Sequence, residues 1–267
     1  MRFCIFILTS FLILNCSREN SEKHKINLAS ESLLPGPADN YRNTHSCKIE
    51  YLSDSAAASI ILQKTEILYL KNGQVYEQFV FDTSGNFEAH YIFEKDTVNN
   101  TLIRISYNQD ERILERKICQ LDDAENIIEE KYYHGNSNYV FDNWFYDYNF
   151  NEKRIDFNKA LTYYSAGPFV KGTHIFDENF NLIETQIKLV NNRLLERYFY
   201  TYNPDNLLLS YTQYQKDQLV SQTRYTYDEQ SRVIRILRES GLSDDTPRYN
   251  SYTLFTYQGN TQENSKN

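Results

Sequence analysis

Along most of this chain, apolar and polar residues alternate with a period of two. Tyr198, Tyr200 and Tyr202 fall on one face of an extended segment; Arg197, Phe199 and Thr201 fall on the other. Tyr225 and Tyr227 repeat this beside Arg224 and Thr226, as do Phe255 and Tyr257 further on. Period two with aromatic and β-branched residues marks half-buried strands. Short polar breaks separate the runs, among them Lys71-Asn72-Gly73, Val190-Asn191-Asn192 and Lys216-Asp217-Gln218. Asn, Asp and Gly accept turn conformations that other residues resist. The pattern predicts an all-β antiparallel meander of roughly 14 strands. Helix is disfavoured: Glu111 to Cys119 is short and flanked by turn signals. Ser55 to Ser59 reads as a helical turn or as part of the first strand.

The turns share a returning phrase: an aromatic, Asp or Asn, two or three polar residues, Asn or Arg, then an aliphatic. Clear copies are Phe81 to Phe87, Phe176 to Leu182 and Tyr227 to Val233, with variants at Tyr107 to Ile113 and Tyr202 to Leu207. The Asx markers Asp82, Asn108, Asp177, Asn203 and Asp228 give a period of about 26 residues, broken between Asn108 and Asp177. Leu121 to Ile127 is an extra copy that arrives early, and Tyr148-Asn149-Phe150-Asn151 is a slipped one. Tyr257-Gln258-Gly259-Asn260 is a truncated last copy.

This phrase resembles the YD repeat of the RHS family, whose units begin Tyr-Asp-x-x-Gly-Asn/Arg-Leu. Phe81 to Phe87 keeps the glycine as Gly85, whereas Tyr227 to Val233 carries Ser231 there. The resemblance spans about Val75 to Gly259. It implies an extended or curled sheet of repeated β-hairpins and association with the cell envelope. Large family members wrap a toxin in a hollow shell; this chain is too short for a closed cage, so no catalytic residue carries over.

The N-terminus changes the picture from fold to address. Arg2, the apolar run Phe3 to Leu14 and Cys16 form a leader too short to span a membrane. Ile13-Leu14-Asn15-Cys16 resembles a bacterial lipobox, which implies lipidation at Cys16, membrane attachment through that lipid and, with Ser17 next, outer-membrane sorting. Residues 17–43 are rich in Ser, Glu, Asn and Lys with Pro35-Gly36-Pro37, the composition of a disordered tether. The expected organisation is a signal peptide at 1–15, a tether at 16–46, a β-repeat domain at 47–260 and a disordered tail at 261–267.

Net charge is −8, and loss of Arg2 with the leader makes it −9. No basic stripe offsets this, which argues against nucleic-acid partners. Cys47 and Cys119 remain after processing. Export favours a disulfide between them; two buried thiols are the alternative. No metal site or cofactor is indicated: His24, His45, His90, His134 and His174 lack metal-site spacing, and no phosphate loop or nucleophile elbow occurs. His174 takes the inward position that Tyr holds in other units. Asp177 to Asn181 begins like a calcium loop, but Leu182 and Lys188 stand where Gly and Glu are required, so it reads as an Asx turn.

The aromatic ladders read chiefly as core. Trp144, with Phe145, Tyr146 and Tyr148, lies in the irregular middle and is the candidate binding patch. The leading expectation is a non-enzymatic envelope lipoprotein presenting its sheet to a protein or glycan. A ligand-free structural scaffold and an envelope hydrolase with unrecognised carboxylates are the alternatives. A transmembrane barrel is disfavoured because Glu115, Arg197, Arg224 and Arg235 interrupt the strands.

Overall fold

The computed structural model describes residues 41–42, 44–55, 58–71, 73–160, 170–242 and 249–259. They form sixteen strands: β1 (Thr44–Ser55), β2 (Ala58–Tyr69), β3 (Val75–Phe81), β4 (Phe87–Asp96), β5 (Thr101–Tyr107), β6 (Ile113–Leu121), β7 (Ile127–His134), β8 (Val140–Asn149), β9 (Arg154–Ala160), β10 (Val170–Phe176), β11 (Leu182–Leu189), β12 (Leu194–Tyr202), β13 (Leu208–Gln215), β14 (Gln218–Tyr227), β15 (Val233–Ser240) and β16 (Tyr249–Gly259). Each pairs antiparallel with its neighbours in sequence, so the meander stands. The sheet does not stay extended or curled. β16 pairs with β1 from Thr44↔Gly259 to Asp54↔Asn250 and closes a barrel. That closure corrects the RHS-like architecture: no free edge remains on which a repeat sheet could continue. The leader, Cys16, most of the tether and the tail lie outside the described residues. Tyr41, expected in the tether, packs inside the barrel against Tyr69, ring centroids 5.6 Å apart and planes nearly parallel.

The phrase is a turn, built the same way each time. Asp82 Oδ1 accepts the amides of Ser84 and Asn86, while Asp82 N–H donates to the Asn86 carbonyl and Gly85 N–H to the Asp82 carbonyl. Hydrogen bonds from Asn86 hold the Asp82 carboxyl below the usual range. Asn108, Asp122, Asp177, Asn203 and Asp228 accept the equivalent pair of amides. The fourth loop residue is left-handed in every copy: Gly85 (φ 84°), Glu111, Glu125, Phe180, Asn206 and Ser231 (φ 60°). Glycine takes that conformation freely; the others are held there by the Asx cap. A bulge follows each loop, leaving Glu88, Leu114, Ile128, Ile183, Leu209 and Ile234 as the extra residues of the outgoing strands, as in hairpins of a type I turn followed by a left-handed residue.

The broken period has a structural cause. The turns at Asp82 and Asn108 join β3–β4 and β5–β6 at one end of the barrel. Those at Asp122, Asp177, Asn203 and Asp228 join β6–β7, β10–β11, β12–β13 and β14–β15 at the opposite end. Between Asn108 and Asp122 the phrase moves by one strand instead of two and so changes ends.

Inward positions near the second end form the core. Ile49, Ile67, Val233 and Phe255 make one cluster, Ile155, Phe176, Leu182 and Leu208 a second, and Cys119, Leu121 and Ile127 a third. Tyr hydroxyls link successive copies: Tyr202 donates to the Leu182 carbonyl, Tyr227 to Leu208, Tyr257 to Val233 and Tyr148 to Ile127. The phrase's aromatic thus reaches back to the residue that follows an earlier loop. Gly172 has no room for a side chain, because a Cβ there would lie 2.2 Å from the Phe157 ring and 2.4 Å from the Gln186 carbonyl.

Outward positions carry ion pairs around the circumference: Lys64–Glu50, Lys131–Glu129, Arg154–Asp156, Arg197–Glu184 and Arg224–Glu239. A lipid-facing wall requires a continuous apolar band about 25 Å tall. Among the described residues these pairs alternate with exposed apolar side chains such as Leu114, Ile128, Ile183, Leu209 and Ile234, so the outer wall is mixed.

Two measurements follow from this packing. Asp228→Ala removes the acceptor of two loop amides and should cost about 1 kcal/mol in denaturant melts; an unchanged midpoint would contradict the capping role. Burial pushes His174, bonded through Nδ1 to Thr185 at 2.8 Å, down to about 3. The unfolded chain binds this proton below pH 6.5 and the native state only near pH 3, so stability is lost as pH falls through that window. The loss should be on the order of 3 kcal/mol between pH 7 and 4. His174→Gln should remove it, and parallel pH profiles for the two proteins would refute the assignment.

Candidate functional site

Strands β3 to β6 supply the best-formed concavity among the described residues. Their inward side chains alternate with outward ones, so Phe93, Arg104, Leu102, Lys117, Cys119 and Leu121 face the interior together. They line a cavity of about 280 Å³ whose mouth lies by the β2–β3 turn at Leu70 and the β6–β7 turn at Glu125. Leu70, Val75, Phe93, Leu102 and Leu121 make its apolar walls.

The polar side consists of three cations, each beside a carboxylate. Lys95 pairs with Glu125 at the mouth, where both are partly exposed. Arg104 pairs with Glu115 and lies over the Tyr91 ring. Lys117, at 1% exposure, has its Nζ 2.7 Å from Glu130 Oε1 and 5.2 Å from the Tyr132 ring centre. Burial alone would push the Lys117 ammonium down; the Glu130 carboxylate outweighs it and holds the group above the ordinary lysine range. Glu130 also accepts from Tyr132 Oη at 3.2 Å and sits 3.9 Å from Cys119 Sγ.

The residues singled out from sequence are distributed differently. Trp144, Tyr146 and Tyr148 face inward: Trp144 lies near Phe157 and under Lys159, and Tyr146 and Tyr148 pack on the core. Phe145 faces out and is 38% exposed. One strand therefore splits the expected patch between two faces. Cys47 and Cys119 are both free and buried, on β1 and β6, in separate core clusters. Of the two readings, the buried-thiol one is the arrangement seen here. Burial pushes both thiols up to about 12, which keeps them protonated and unreactive at neutral pH. Asp177 caps its own turn, as expected. No group of three or more metal-ligating side chains occurs among the described residues.

Sequence reasoning missed Arg104, Lys117 and Glu130. A signal was present: counting back by twos from Leu121 through Cys119 puts Lys117 on the inward face of β6.

No family model and no curated protein matches the sequence. Among solved structures, a porin-like protein from Bacteroides uniformis aligns with TM-score 0.41 and 8% identity, covering 82% of this chain and 98% of that one. A LolA superfamily protein from Nitrosomonas europaea gives 0.33 and 11%, covering 82% and 88%. A putative outer membrane lipoprotein-sorting protein domain from Vibrio parahaemolyticus gives 0.24 and 10%, with the same coverage. Superpositions this loose transfer neither a site nor an activity.

Lys117→Met should cost about 3–5 kcal/mol, since it strands the Glu130 charge in the interior. Combining it with Glu130→Leu should recover most of that loss in denaturant melts. A double variant as unstable as the single one would show that the pair is not the source of the cost.

Proposed function

We propose that this chain is a non-enzymatic binding protein of the cell envelope, tethered by lipid at Cys16, whose folded body is a water-exposed barrel with its ligand site in the β3–β6 pocket. The observation that carries this reading is the contrast between the two faces of one sheet. Ion pairs recur around the outer wall, while the inner wall encloses an apolar cavity with buried polar groups beside it. Pockets of that kind bind small molecules. The thiol on the pocket wall, Cys119, is held far from a nucleophile's state, which favours binding over covalent chemistry. The leader and lipobox-like Ile13-Leu14-Asn15-Cys16 support export and anchoring. An envelope protein or glycan on the outer wall is the further partner class; of the aromatic group around Trp144, Phe145 is the member available to it.

Fractionation after fatty-acid labelling tests the anchored, water-exposed barrel. Wild-type protein should carry label and sediment with membranes. Cys16→Ala should lose the label and appear, folded, in the soluble fraction. An unlabelled variant that still resides in the membrane after its leader has been removed would mean that the barrel itself spans it, and the proposal would fail.

A further inference from the structure

Resting on the pocket reading above, we infer that the β3–β6 pocket takes a single uncharged amphiphile, an alkyl chain ending in a hydroxyl, ester or ether oxygen. Three observations lead there. The first is size. About 280 Å³ lies at the lower edge of ligand pockets, enough for one small molecule and too little for a two-chain lipid.

The second is charge. Lys95, Arg104 and Lys117 are matched one to one by Glu125, Glu115 and Glu130. Glu94 lines the pocket as well, so no net positive charge remains, and a carboxylate or phosphate entering it would be a desolvated charge with no counter-ion left to meet it. A neutral oxygen brings no such penalty.

The third is hydrogen bonding. The Lys117 ammonium carries three N–H donors at 1% exposure. Glu130 lies 2.7 Å from the Nζ and the Tyr132 ring is its other near neighbour, so at least one of the three donors is left over. The Nζ is closed off from the empty cavity, so a ligand oxygen meets it only when the lysine tip turns towards the pocket, where that acceptor would satisfy a donor that is otherwise costly to bury. Leu102, Leu121, Phe93 and Val75 then enclose the chain, with Leu70 at the mouth beside the Lys95–Glu125 pair.

The test is displacement of the neutral fluorophore N-phenyl-1-naphthylamine from the full-length Cys16→Ala chain, which carries no lipid of its own to compete. Competitors are 1-dodecanol and dodecanoate at pH 8, equal in length and different in charge. Dodecanol should displace the probe at least tenfold more effectively. Leu102→Trp, which fills the cavity, should weaken probe binding at least tenfold while the melting curve is retained. Should that variant unfold, Leu70→Glu at the exposed mouth should weaken binding several-fold. Equal or stronger displacement by dodecanoate would overturn the neutral-ligand inference. No saturable probe binding, or binding untouched by a folded pocket variant, would overturn the site. Either failure leaves the fractionation result standing, so loss of this inference is distinguishable from loss of the lipoprotein reading.

Discussion

Everything in this molecule depends on the pairing of its first and last strands. β1 and β16 meet over the length of both, and β1 pairs with β2 on its other side. A sixteen-strand sheet left open would present two rows of unpaired backbone groups, a template for aggregation. Closure removes both rows. It also divides every strand into an inward and an outward series, so a single sheet builds a core and an outer wall. The pocket exists because β3 to β6 turn their inward residues towards an enclosed space.

The interior is stabilised by two kinds of contact. Aliphatic residues flanking the loops make the apolar clusters at one end, and the tyrosines tie those clusters to the backbone. Each tyrosine buries a large ring and still places its hydroxyl on a carbonyl, so area is gained without an orphaned polar group. The Lys117–Glu130 pair is different. Two hydrophobic residues of similar volume would be as stable or more so, which makes a buried ion pair weak evidence for stability. It stands on the wall of the pocket, where the inferred ligand would give it a further partner.

The strands and turns were legible because they are local. Alternation at Tyr198 to Tyr202 and the Asx caps at Asp82, Asp177 and Asp228 involve residues only a few positions apart. Even the early copy at Leu121 to Ile127 was visible, although its meaning, a change of barrel end, was not. Closure was illegible because it is set by Thr44 meeting Gly259, across nearly the whole chain, and a repeat does not state where its sheet stops. The same gap hid the site. Lys117 and Glu130 look like surface charges until the register places them inside. Trp144 and Phe145 look like one patch until alternation separates them. Cys47 and Cys119 could be a bond or two buried thiols until the fold placed them in separate core clusters.

Closure is measured most directly with spin labels on Lys48→Cys and Thr256→Cys, outward partners in the β1–β16 register. Cys47 and Cys119 are buried and should stay unlabelled in the folded chain; Cys16→Ala and Cys4→Ala remove the remaining thiols. A closed barrel places the two Cα atoms about 5 Å apart, and the continuous-wave spectrum should show strong dipolar broadening that disappears in either single-label protein. An open, flat sheet of sixteen strands would hold them roughly 70 Å apart. Absence of broadening in folded protein would contradict the barrel and, with it, the interior pocket.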